Sequence, residues 1–108
     1  MTYQHKDLAE RWKDFSLAEQ MANIGSEVER ALNWKAKKNE TYSRQAFERA
    51  LELLDFTLDA HQDFDTLREV ARTREALVDY FFGRNEFQST DDSWRKYFLA
   101  FNYSARRQ

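Results

Sequence analysis

Wound as a helix, residues 65–82 place Arg74 inside an apolar stripe of Leu67, Val70, Ala71, Leu77, Val78 and Phe81. A guanidinium in that setting needs a carboxylate or an anionic ligand, because an unpaired buried charge is costly. Glu27 flanks the apolar stripe of the helix expected over residues 17–38 and is the expected partner. Arg74 and Glu27 are therefore candidates for a buried ion pair or for an anion contact within a cleft. Arg68 and Arg72 share the helix but lie more than ~100° around it, so they add little to such a contact. The second group is acidic. Glu48, Glu52, Asp55 and Asp59 recur at i, i+4, i+7 and i+11, which aligns them along one helix edge. Turned inward, such a row would suit a divalent cation. It lies about a right angle from the Phe47–Leu54–Leu58 stripe, which makes it a solvated flank with Arg44 and Arg49 nearby.

Other chemistries have less to work with. The segment from Asp59 to Asp65 offers acids and His61, but it lacks the glycine-punctuated spacing of a calcium loop and reads as a turn. With His5 and His61 as the histidines and no cysteine, neither a zinc site nor a thiol nucleophile is expected. No serine has a histidine at readable spacing, and Ser16 and Ser89 suit helix caps. The expectation is no metal, no cofactor and no catalytic residue. Seventeen basic against 19 acidic side chains give a net charge of −2, which supplies no whole-chain attraction for nucleic acid or anionic membrane. The first seven residues contain no apolar core of a signal peptide, and no run approaches a membrane span. A cytoplasmic protein without a membrane partner is expected.

The elements that must position these side chains are helices. The 108 residues include two glycines and no proline, against ordinary usage of about 7% and 5%. Five helices are predicted: residues 5–15, 17–38, 41–60, 65–82 and a last one starting at Thr90-Asp91-Asp92-Ser93. They form a single domain, an all-α, compact antiparallel bundle. Ser16 and Glu19 make a capping box for the second helix, and Asn39 is expected to close it. Gly83 is expected to stop the fourth in a left-handed cap, and Thr90 to Ser93 starts the fifth. Gly25 inside the second helix predicts a close helix–helix approach.

Three resemblances follow from short motifs. Glu52-Leu53-Leu54-Asp55 resembles the E-x-x-D element of the all-helical nucleoside-triphosphate pyrophosphohydrolases, which implies magnesium held by helix carboxylates; the upstream E-E-x-x-E is broken by Ser26 and Arg30. Arg84-Asn85-Glu86-Phe87-Gln88-Ser89 resembles the R-N-x-x-x-H motif of HEPN ribonuclease domains, with Ser89 in place of the histidine. That implies an RNA-associated protein lacking the complete catalytic motif. The segments from Ala22 to Val28, Ala46 to Asp55 and Asp79 to Phe82 resemble small uncharacterised helical proteins of bacteria and archaea, and no activity follows from that likeness.

The remaining signal is aromatic. Rings make up 16% of the chain and concentrate between Tyr80 and Tyr103. Most belong to the core. Tyr80, Phe87 and Tyr103 fall off the main stripes, and Leu99 lies opposite Trp94 on the last helix. These four are the interface candidates, and Arg84, Arg95 and Lys96 are the anion or RNA candidates. The sequence thus favours a non-enzymatic interaction or assembly module, homo-oligomeric through the last helix.

Overall fold

The computed structural model describes residues 5–107, with side chains from Leu8 onward; the first four residues and the His5 side chain, both named in the sequence reading, lie outside the described residues. Five helices form: α1 His5–Trp12, α2 Leu17–Ala36, α3 Glu40–Ala60, α4 Phe64–Phe82 and α5 Asp91–Arg106. No strand occurs among the described residues, so the protein is all-α.

Side-chain bonds between helices give the topology. Ser43 of α3 bonds Ala31 of α2, and Arg49 bonds Glu27, so advancing along α3 means retreating along α2. Asn33 and Glu29 of α2 meet Arg95 of α5, and Gly25 meets Phe98. Phe47 stacks on Phe81 and Asp55 holds Arg74, joining α3 to α4. Tyr80 bonds Asp91, and Glu69 bonds Tyr97, joining α4 to α5. Each neighbouring pair runs antiparallel, and α2, α3, α4 and α5 close a four-membered ring around one core. α1 packs against α3.

α2 contributes most to that core, with Met21, Ile24, Val28, Ala31 and Leu32 buried. Phe47 and Leu54 of α3, Val70 and Leu77 of α4, and Trp94 and Phe98 of α5 complete it. A buried polar latch fixes α1. Trp12 Nε1 donates to Thr57 Oγ1 at 2.9 Å, and Gln20 Nε2 donates to the Trp12 carbonyl at 2.8 Å. Gln20 Oε1 meets His61 Nε2 at 2.7 Å, so that ring nitrogen carries the proton. The latch satisfies the fully buried Gln20 amide and ends α1 at Trp12, three residues before the predicted boundary.

The caps follow the sequence in part. Ser16 and Glu19 form the capping box of α2, and Thr90 and Ser93 form a matching one at α5. Asn39 does not close α2. Its side chain caps the N-terminus of α3 by accepting from Tyr42 N, and Lys38 takes the left-handed position (φ 61°) after the Lys37 cap. Ser89 is not a cap either, because Thr90 fills that role. Gly83 ends α4 with φ −103° and ψ −155°, extended rather than left-handed. Glycine is needed there for space: a Cβ would stand 2.9 Å from the Asp79 carbonyl oxygen.

Candidate functional site

Arg74 is not enclosed. Its side chain keeps 35% of its accessible surface, and its partner is Asp55 of α3, with Nε to Oδ1 at 2.8 Å, instead of Glu27. The reason is the rotation of α4. Its buried line runs through Val70, Thr73 and Leu77, while Ala71 is exposed and Arg74 falls at the edge. Thr73 can occupy the core because its hydroxyl meets Tyr97 Oη at 2.7 Å. Tyr97 in turn donates to Glu69 Oε2 at 2.7 Å, so the Thr73 hydroxyl is the donor to Tyr97. Burial, together with the Glu69 carboxylate, pushes the Tyr97 phenol well above its ordinary range.

Glu27 is the more enclosed charge, at 13% exposure. It bonds Arg30 and Arg49, each at 2.8 Å, and lines a cleft of about 780 Å³ with Glu48, Glu52 and Asn23. Acids from α2 and α3 therefore do converge, but two guanidiniums already take the Glu27 carboxylate. Asp55 is spent on Arg74. Among the described residues no group of three or more histidine, aspartate or glutamate side chains is placed to hold a metal ion.

The R-N loop is closed by its own side chains. Asn85 Nδ2 donates to the Ser89 carbonyl at 2.9 Å, and Ser89 N donates to Asn85 Oδ1 at 2.8 Å. Asp79 accepts from the backbone of Glu86 and Phe87. Asn85 is thus a loop staple, and Arg84 projects from the same loop, exposed.

The four interface candidates separate. Tyr80 is half-buried: its hydroxyl bonds Asp91, and Lys35 Nζ lies 4.4 Å over its ring. Burial and the Asp91 bond raise its phenol above the ordinary value. It is a structural tie between α4 and α5 and not a surface ring. Phe87 is exposed beside a cleft of about 380 Å³ lined by Arg72, Thr73, Trp94 and Tyr97. Leu99 and Tyr103, 63% and 61% exposed, share the outer face of α5 on its other side. Phe64, Phe82 and Tyr42 are also exposed and escape the sequence reading: Phe64 falls in the stretch expected to be a loop, and Phe82 and Tyr42 stand next to the more buried Phe81 and Ser43.

Leu99 borders a groove of about 580 Å³ between α2 and α5, with Val28, Leu32, Trp94 and Phe98 also among its lining residues. Arg95 and Lys96 line it as well, and Arg84 does not. Arg95 pairs with Glu29 at 3.0 Å. A smaller hollow of about 250 Å³ shares Ala22, Ser26 and Asn102 with this groove and extends it towards Phe15 and Ala105. Trp94 lines the clefts on both sides of α5, and its Nε1–H is buried without a hydrogen-bond partner among the described residues.

Compared with known proteins, the chain matches no family model, and no curated protein or solved structure matches it significantly.

Proposed function

We propose that the protein is a non-enzymatic interaction module of the cytoplasm that binds a protein partner through the outer face of α5 and the groove beside it. The observation that carries this reading is the placement of Leu99 and Tyr103. Both are strongly exposed side chains at i, i+4 spacing on one face of α5, and Leu99 also lines the groove between α2 and α5. The ionisable clusters that would support an enzyme are tied internally, as Glu27 with Arg30 and Arg49, and Arg74 with Asp55. Among the described residues, no helix is long and apolar enough to cross a membrane, which accords with the proposed setting.

A photo-cross-linking side chain at Leu99 is expected to give one discrete adduct in cells, and the same group at exposed Glu75 on α4 none. Nucleotides with magnesium should leave the melting temperature unchanged. A magnesium-dependent nucleotide shift that disappears in Glu52→Gln would overturn this reading in favour of phosphohydrolase chemistry on helix carboxylates.

A further inference from the structure

The α5 face is not neutral. Arg95, Leu99, Asn102 and Arg106 stand at i, i+4, i+7 and i+11, and Lys96 and Tyr103 flank the same line. Lys96 and Arg106 have no carboxylate partner among the described residues, and the Arg107 guanidinium lies 5.4 Å over the Tyr103 ring. Glu29, across the groove, is paired with Arg95, and Glu19, which lines the extension, accepts from Ser16 N in the α2 capping box. A chain of net charge −2 thus gathers a cationic rim around an apolar strip. The groove and its extension follow α5 from Trp94 to Ala105, about 16 Å at the helical rise, or roughly three turns.

We infer that the occupant of this groove is an acidic amphipathic helix of a partner protein, its apolar residues seated on Leu99 and Tyr103 and its carboxylates facing Lys96, Arg95 and Arg106. This rests on the interaction-module reading and names the partner's chemistry. Charge selects among occupants. A two-fold antiparallel pairing of α5 centred midway between Leu99 and Tyr103 would set Lys96 of one copy against Arg106 of the other, and like charges juxtaposed across an interface are unfavourable. A single-stranded RNA needs a series of open ring faces for stacking, and α5 offers one strongly exposed ring, Tyr103, with Arg107 over one of its faces. An acidic helix satisfies both the cationic rim and the apolar strip.

The test uses a labelled helical peptide of about four turns, with leucines at i and i+4 flanked by glutamates, and a twin with every glutamate replaced by lysine. Anisotropy should show the glutamate peptide binding at least about tenfold tighter than its twin, with affinity falling as salt rises. Lys96→Glu/Arg106→Glu should reverse the preference, and Leu99→Ala should weaken both peptides; all three sites are exposed, and circular dichroism checks the fold. Equal binding of the twins would overturn the charge assignment and keep the module. No peptide binding, with a size by light scattering that grows with concentration and reverts in Leu99→Glu, would overturn it in favour of a second copy. Tighter binding of a single-stranded RNA oligonucleotide would overturn it in favour of nucleic acid. No peptide binding, a constant monomer and no adduct at Leu99 would remove both this inference and the reading beneath it.

Discussion

Gly25 lies directly under Phe98. A Cβ on Gly25 would stand 2.7 Å from the Phe98 Cβ and 2.9 Å from its Cγ. Those atoms belong to the root of the side chain, so relief requires α5 to move as a body. Gly25→Ala would gain about 1 kcal/mol in helix propensity but incur overpacking of about 1–3 kcal/mol. A net loss is expected in thermal melting, and Gly25→Leu should lose more. Phe98→Gly, which removes the Cβ that meets position 25, should make Gly25→Ala far less harmful in a double-mutant cycle. Additive losses would mean that the two residues do not meet.

Glu27 and Arg74 differ in what surrounds them, so their substitutions should differ. Glu27→Gln removes a largely enclosed carboxylate from two guanidiniums and should cost about 1.5–3 kcal/mol, the range of charge-assisted bonds. Arg74→Met breaks a half-exposed pair with Asp55 and should stay within about 1 kcal/mol. Denaturant unfolding of both variants decides the order.

The contrast also shows what is legible in the sequence. The five helices, the Ser16 and Thr90 starts and the Gly25 approach are readable because periodicity, capping and small side chains act locally. Weighing apolar residues alone misplaces Arg74. Thr73 belongs at the centre of the α4 core line because Tyr97, 24 residues onward, accepts its hydroxyl proton, and that partner is invisible to a helical count. Asn39 goes to the wrong helix for a related reason: asparagine suits both helix ends, and only the Asn39–Tyr42 bond chooses. Leu99 and Tyr103 stand out because they oppose Trp94 on one helix. The groove beside them needs α2 and α5 together, and no single stripe contains it.

The two buried tryptophans should respond differently to phenylalanine. Trp12 Nε1 donates to Thr57, so Trp12→Phe loses a satisfied bond as well as ring volume. The Trp94 Nε1–H is buried with no acceptor among the described residues, and its removal recovers a desolvation penalty of about 1–3 kcal/mol that offsets the lost volume. Trp94→Phe should therefore melt close to the parent and Trp12→Phe clearly below it. The reverse order would show that the Trp94 donor is satisfied in solution.

Asp63 caps α4 by accepting from Thr66 N at 3.0 Å. Hydrogen bonding to Thr66 holds its carboxyl below the ordinary value of 3.8. The unfolded chain binds the proton more readily than the folded one, so the contribution of this cap is complete above about pH 4 and disappears as pH falls through the folded value. The Asp63→Asn variant would cap without titrating, since asparagine serves an N-cap about as well as aspartate. In melting curves from pH 6 down to pH 2, the parent should lose stability more steeply than Asp63→Asn below pH 4, and the difference between them should change in the variant's favour. Parallel curves would mean that the cap does not sense this proton.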